Sequence, residues 1–360
     1  MREYLLTIAL AGAITFAMTP LIRRLAMRSG AFLEIRRRDL HSQITPRWGG
    51  LAMWVGLMLT VFIVKNLSLV GKSYDRELQG IIIASAVIVI LGAIDDVFDL
   101  DSVTKFAGQA LAAGILLIYG IQILWIPWNG IISLPTNIGA LVTVLFVLVV
   151  MNAVNFVDGL DGLATGIVAI ASGSFFAFSY LLAVVNGLSR AGSPSLISAL
   201  VFGVCVGFFP HNYHPARIFM GDSGAMLLGL LLASSAISLT GQIDTGAITT
   251  GHGATYLPLA LPIMILAIPL IDLFMAIFRR LVAGKSPFSS DSRHLHHRLL
   301  VAGNSHRRTS IILYLWTGIF AIPAVVTAFL PFWVAAIIAL LLVSLVFTLM
   351  FTGKKKHVTL

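Results

Sequence analysis

TNIGALVTVLFVLVVMNAVNFVDGLDGLATGIVAIASGSFFAFSYLLAVV, residues 136–185, decides the fold. Two apolar runs, 136–154 and 163–185, flank a polar centre that carries Asn152, Asn155, Asp158 and Asp161. Each run is close to the twenty or so residues that a helix needs to cross a bilayer. The apolar residues are continuous and do not alternate. A helix satisfies its own backbone in lipid, which a lone strand cannot do. The stretch therefore reads as two spans joined by a short polar turn.

The pattern recurs along the chain of 360 residues, 58% of them hydrophobic and 11% charged. Soluble domains carry about 25% charged residues. The fold class is all-α, a polytopic membrane protein with eleven spans: 4–22, 49–64, 79–95, 103–122, 136–154, 163–185, 194–210, 223–240, 255–278, 310–330 and 332–352. The first run is read as a retained span. Its positive charge (Arg23, Arg24, Arg28) follows the run, and no small-residue cleavage site does. Pro258, Pro262 and Pro269 should bend the ninth span. The longest polar segments, 23–48 and 279–309, are too short for a soluble domain, so residues 1–360 read as one transmembrane unit. The single cysteine, Cys205, lies within a span and reads as a small buried apolar residue.

Charge sets the orientation. Numbering the spans in order places 19 of the 24 Lys and Arg residues on one side, together with eight of the nine histidines. The positive-inside rule makes that side cytoplasmic, with the N-terminus outside and the C-terminus inside. The net charge of +9 is mostly this asymmetry and does not call for nucleic acid. Membrane lipids with anionic head groups are the expected partners of some of these cations. The polar clusters at 95–101, 152–161, 211–222 and 291–297 fall on the same side. One face of the membrane is expected to carry a site.

"GAIDDVFDLD" places Asp95, Asp96, Asp99 and Asp101 at the C-terminal end of a span. A helix C-terminus disfavours anions and like charges repel, so a bound cation or a cationic partner would relieve both. A solvated acidic loop is the plainer alternative. Clustered aspartates without cysteine suit a hard ion such as Mg²⁺. Asn152, Asn155 and Asp158 are three apart and share a face if the fifth span continues through them. Asp161 could simply cap the sixth span.

"HNYHPARIFMGDSGAM" (211–226) carries Arg217, Phe219 and Asp222 ahead of another span, a setting that suits a phosphate and an aromatic base. Asp222 could also be a plain N-cap. "SSDSRHLHHRLL" (289–300) holds Arg293, His294, His296, His297 and Arg298. His294 and His297 should share a helix face, with His296 pointing elsewhere. A zinc site, a phosphate grip and a solvated basic loop are all compatible with this spacing. The flanking arginines disfavour a dication and favour phosphate. "HSQITPRWGGLA" (41–52) adds His41, Arg47 and a glycine pair entering the second span. Asp272, inside the ninth span near its cytoplasmic end, is a functional residue or a partner of Arg279 or Arg280.

Taken in order, HSQITPRWGG, IDDVFD, NAVNFVDGLDGLA, PARIFMGDSG and HLHHRL resemble the polyprenyl-phosphate N-acetylhexosamine-1-phosphate transferases, of the glycosyltransferase family 4 type. The HLHHRL and TPRWGG forms look like the branch that uses UDP-N-acetylglucosamine (UDP-GlcNAc). DSVTKFAGQ and AGNSHRR look most like actinobacterial members, whose lipid is often decaprenyl phosphate. Ala225 departs from the serine that many members carry. The resemblance implies transfer of GlcNAc-1-phosphate from UDP-GlcNAc to undecaprenyl or decaprenyl phosphate, releasing UMP. That reaction starts a cell-wall or surface glycan at the cytoplasmic face of the bacterial plasma membrane. It implies Mg²⁺, with Mn²⁺ as a substitute, and a homodimer.

By the same analogy Asp222 is the first metal ligand and Asn155 a second. Asp95 or Asp96 holds or deprotonates the lipid phosphate. Phe219 stacks on uracil, while Asp158 and Asp161 line the nucleotide site. His294, His296, His297, Arg293 and Arg298 grip phosphate or sugar, and Arg47 and Asn152 complete the substrate contacts. The rival readings are a phospho-MurNAc-pentapeptide transferase of the same family and, more distantly, a membrane transporter. A transporter would place its charges near the bilayer midplane.

Overall fold

The structure, a computed structural model, describes residues 1–33, 45–127, 131–185, 192–241, 263–282, 284, 294–327 and 329–351. His41, Arg293, Pro258 and Pro262, parts of the ninth, tenth and eleventh expected spans, and the basic residues at 36–38, 190, 285 and 354–356 lie outside the described residues.

Twelve α-helices are described: α1 (Arg2–Arg28), α2 (Gly49–Val64), α3 (Arg76–Phe98), α4 (Ser102–Ile118), α5 (Thr136–Val157), α6 (Leu163–Val185), α7 (Gly192–Asn212), α8 (Gly221–Gly241), α9 (Ala267–Val282), α10 (Leu295–Val301), α11 (His306–Thr327) and α12 (Phe332–Phe351). Two small antiparallel ladders, Phe32–Leu33 with Thr45–Pro46 and Trp125–Pro127 with Ile131–Ser133, are the described strands. Among the described residues, eight helices are long and apolar enough to cross a membrane, which makes the chain a polytopic membrane protein. Helices α2 and α4 are apolar but shorter. At 1.5 Å per residue, the 16 residues of α2 reach about 24 Å, short of a hydrocarbon core of about 30 Å.

Helix α8 is the hub. Its residues Ser223–Leu239 are all buried, and it packs on α2, α3, α5, α6 and α7. A helix apolar on every side belongs in such a position. Small residues let its neighbours approach. A side chain at Gly50 would strike the Gly224 backbone, and one at Gly92 would strike Ser223. Close backbone approach replaces the hydrophobic effect as the packing force in lipid. Gly50→Val should therefore separate α2 from α8. A loss of at least ~2 kcal/mol is expected for such overpacking, read as a lower melting temperature of the detergent-solubilised chain. An unchanged melting temperature would contradict this packing.

The outer surface is apolar instead: Phe62, Ile90, Leu111, Leu141 and Leu340 are all exposed. Cys205 is buried as expected. The ninth expected span is broken. A helical turn at 263–265 is interrupted at Leu266 before α9 begins. Pro269 has no N–H to offer one turn back, which accounts for the interruption.

Candidate active site

One end of the bundle gathers the C-terminal ends of α3, α5 and α7 with the N-terminal ends of α2, α4 and α8. A cleft of about 400 Å³ opens there, lined by Arg47, Asp96, Asn155, Asp158, Gly159, Leu160, Asp161, Asn212, Phe219, Gly221 and Asp222. The expectation that separate polar segments converge is met by these residues.

Local backbone chemistry builds the floor. The segment leading to α2 pairs with the one leading to α8: Phe219 N donates to Pro46 O (2.8 Å), Gly49 N to Phe219 O (3.0 Å) and Gly50 N to Met220 O (2.9 Å). Gly221 then turns the chain with a φ of 70°, a conformation that glycine adopts without cost. A side chain at Gly221 would also collide with the Asp96 carboxylate.

Asp96 has a role that the sequence reading did not assign. Its Oδ1 accepts from Asp222 N (2.9 Å) and its Oδ2 from Ser223 Oγ (3.0 Å). The first amides of α8 lack partners within their own helix, and a carboxylate from α3 meets them. Asp222 is therefore not the cap of α8; it is the second residue of the helix, and Asp96 does the capping.

Asp95 points to a different partner. Its Oδ2 lies 2.7 Å from Lys105 Nζ, and its Oδ1 accepts from Leu100 N (2.8 Å). Lys105 Nζ also lies 3.1 Å from Asp222 Oδ2. One ammonium thus bridges carboxylates from the ends of α3 and α8. Lys105 was absent from the sequence-level site; an isolated lysine early in α4 carries no local signal, and its partner Asp222 is 117 residues away.

A second, largely apolar groove of about 350 Å³ starts at Lys105 and runs past Phe106, Leu145, Leu148 and Val149 to Leu273. Asn155 lines both spaces, so the polar cleft and the apolar groove meet at Asn155, Lys105 and Asp222. Asn152 faces the groove and is tied back to Gln109, whose Oε1 accepts from Asn152 Nδ2 (2.9 Å). The three-residue spacing therefore does not align Asn152 with Asp158 in one cleft. Helix α5 ends at Val157, and Asp158 lies beyond its last turn.

Asp158 is half-buried in the cleft. Burial, with the neighbouring carboxylates of Asp222, Asp96 and Asp161, pushes it up to about 8. Asp161 turns towards the segment that follows α7. Its Oδ2 accepts from His214 Nδ1 (2.8 Å) and from Ala216 N (3.0 Å).

The histidines are arranged differently from the expectation. His294 precedes α10 in extended conformation, so it does not share a helix face with His297. Its ring instead stacks parallel on that of His296 at 5.8 Å, and His296 lies 4.3 Å from His297. His296 therefore belongs to the cluster and does not point away. Asp272 Oδ2 lies 3.1 Å from His294 Nδ1, and Asp272 Oδ1 accepts from Leu295 N (2.9 Å). The partner of Asp272 is thus the histidine segment. Phe156 packs on His294 at 5.3 Å, and the Arg280 guanidinium lies over the Phe156 ring, also at 5.3 Å. Arg298 is exposed.

Burial pushes His296 down to about 4, with His297 a further cause. The folded chain therefore holds His296 neutral where an unfolded histidine, at 6.5, takes a proton. Protonation favours the unfolded state, so stability is full above about pH 6.5 and falls as pH drops towards about 4. The loss should reach ~3 kcal/mol. Acid melting curves of wild type and His296→Gln should show the slope in wild type and a flatter profile in the variant. Equal slopes would dismiss His296 as its source.

Donor chemistry fits a hard dication. The cleft offers carboxylate and amide oxygens and no sulfur, and its other carboxylates raise the proton affinity of Asp158. Among the described residues no three His, Cys, Asp or Glu side chains form a ready metal cage. Mg²⁺ does not require one; it commonly uses one or two carboxylates plus substrate phosphates and water.

Residues 78–240 match the family model described as glycosyl transferase family 4. The chain is 42% identical over 337 residues to the decaprenyl-phosphate N-acetylglucosaminephosphotransferase of Mycobacterium leprae (strain TN), covering 91% of this chain and 85% of that protein. It is 40% identical to the protein of the same name from Mycolicibacterium smegmatis (strain ATCC 700084 / mc(2)155), over 91% of this chain and 83% of that one. The undecaprenyl-phosphate alpha-N-acetylglucosaminyl 1-phosphate transferase of Escherichia coli (strain K12) is 27% identical, over 89% of this chain and 83% of its own length. With an ordered match across nine-tenths of its length and an acidic cleft at one end of a membrane helical bundle, this chain belongs to glycosyl transferase family 4.

Proposed function

We propose that the chain transfers GlcNAc-1-phosphate from UDP-GlcNAc to a polyprenyl phosphate, decaprenyl or undecaprenyl, and releases UMP. The observation that carries this reading is the junction at Asn155, Lys105 and Asp222, where a polar cleft meets an apolar groove. A nucleotide sugar suits the cleft and a prenyl chain suits the groove, so the two phosphates meet at the junction.

In the reaction a lipid phosphate oxygen bonds to the sugar-bearing phosphorus while the bond to UMP breaks. Such chemistry needs positioning and charge neutralisation more than covalent help. Lys105 draws the lipid phosphate towards Asp95 and Asp222. Arg47 sits in the cleft for the diphosphate, and Phe219 offers its ring to the uracil. Asp158 and Asp161 line the nucleotide end. His296 lies behind Gly159 and His294 is held by Asp272; with His297 they would meet the sugar or its phosphate. Asp222, with Asn155, would hold Mg²⁺. When bound, the ion would neutralise charge on the diphosphate and on departing UMP. Direct attack is the simpler route, because a phosphate oxyanion is already a nucleophile. A prior attack by an aspartate is the alternative. The positive-inside count supports a cleft that opens on the cytoplasmic side of a bacterial plasma membrane. A homodimer follows from family resemblance alone.

The test is a membrane assay with UDP-GlcNAc labelled in the sugar, polyprenyl phosphate and Mg²⁺. Label should enter the organic phase as UMP appears. Chelation should stop transfer, and added Mg²⁺ or Mn²⁺ should restore it. Transfer from UDP-MurNAc-pentapeptide instead would keep the family and overturn the sugar. Silence with every sugar nucleotide from folded protein would overturn the reading.

A further inference from the structure

The start of α11, carrying the GNSHRR motif, has no part in the chemistry above, yet it reaches the cleft through one residue. The cleft has two facing walls: the 158–162 turn and the segment 213–219. The side chain of His214 ties them, since its Nδ1 meets Asp161 Oδ2 at 2.8 Å. The same Asp161 oxygen accepts from Ala216 N at 3.0 Å.

Helix α11 holds this tie from behind. The His306 ring stacks on His214 at 5.0 Å with only 16° between the planes. Arg307 donates to the carbonyl of His214 (3.3 Å), and its guanidinium lies over Tyr213 at 5.9 Å. One face of the same helix reaches the opposite wall, where Tyr314 Oη donates to Gly162 O (2.6 Å). A single helix thus braces both walls.

We propose that His214 is a positioning residue for the nucleotide end of the cleft. Held by His306 and Arg307, it fixes the Asp161 wall against the segment that carries Phe219. The inference rests on the reading of this cleft as a uridine nucleotide site. His214 does not line the cleft itself and acts through Asp161. Its side chain is about one-third exposed, at 34%, so its removal leaves no buried hole.

Purified full-length protein should be compared as wild type, His214→Ala, His214→Asn, His306→Ala and the His214→Ala/His306→Ala double variant. Steady-state kinetics would be paired with UMP titration by calorimetry. His214→Ala should raise the KM for UDP-GlcNAc and the Kd for UMP about tenfold. The kcat should stay within about threefold and the KM for polyprenyl phosphate should not move. His214→Asn, which restores a donor to Asp161, should recover most of the loss. His306→Ala should weaken UMP in the presence of His214 and add nothing once His214 is gone, because it acts through that ring. Unchanged nucleotide constants in His214→Ala would overturn the proposal. A fall in kcat with both KM values intact would overturn it too, since that pattern reflects fewer folded molecules. Wild type that neither binds UMP nor consumes UDP-GlcNAc would overturn the functional reading itself and this inference with it.

Discussion

Asp222→Ala should reduce transfer about 10³-fold, the scale on which removing one pre-positioned electrostatic group acts. Asp222 stands where the cleft and the groove meet, with one oxygen on Lys105. Its backbone is held independently by Asp96, so the start of α8 should survive loss of the side chain. The Asp222 side chain is 29% exposed, which also argues against a large folding penalty. Asp222→Asn keeps the shape and loses the charge, and should be nearly as inactive. Label transfer and melting temperature, measured on the same preparation, separate the two effects. A variant with a tenth or more of wild-type turnover would remove Asp222 from the centre of the reaction. A variant that is inactive because it has unfolded would show a large drop in melting temperature, and the Asp222→Asn rate would then decide.

Lys105→Met should lower kcat by about 10²-fold or more, on the same electrostatic argument. The ammonium is the only described cation that joins the two carboxylates, at 2.7 Å from Asp95 and 3.1 Å from Asp222. Methionine keeps most of the stem, so packing on the groove is preserved. Loss of the charge strands Asp95, whose side chain is only 3% exposed, and leaves two like charges facing each other. Some stability should be lost as well; Lys105 itself is 26% exposed, so solvent screening keeps that loss modest. The diagnostic result is a rise in the KM for polyprenyl phosphate with little change in UMP affinity, because Lys105 lines the groove and not the nucleotide end. Weakened UMP binding with an unaltered lipid KM would place Lys105 on the wrong substrate.

Much of the architecture is visible in the sequence because the bilayer imposes a local rule. A run of about twenty apolar residues must be a helix in lipid, whatever lies elsewhere in the chain. Ten of the eleven expected spans coincide with described helices within a few residues at most of their ends, and the ninth, 255–278, is described only from 263 onward. Polar clusters at helix ends are equally local, which is why Asp96, Asn155, Asp158, Asp161, Phe219 and Asp222 could be named before their convergence on one cleft was seen. Length and continuity are local in part as well: α2 keeps the expected bounds 49–64, and the break before α9 goes with the amide that Pro269 lacks.

Only the tertiary structure decided the pairings. Asp96 caps a helix 126 residues away, Lys105 serves Asp222 across 117, and His214 serves Asp161 across 53. Asn152 looks like a member of the Asn155–Asp158 row and turns instead to Gln109. Asp272 takes His294 as its partner although Arg279 and Arg280 are nearer in sequence. The common reason is that helix-to-helix register is set by where small residues allow backbones to touch. Gly50, Gly92 and Gly224 bring α2, α3 and α8 together at their polar ends. That approach selects which carboxylate meets which amide, a long-range choice that spacing along the chain does not carry.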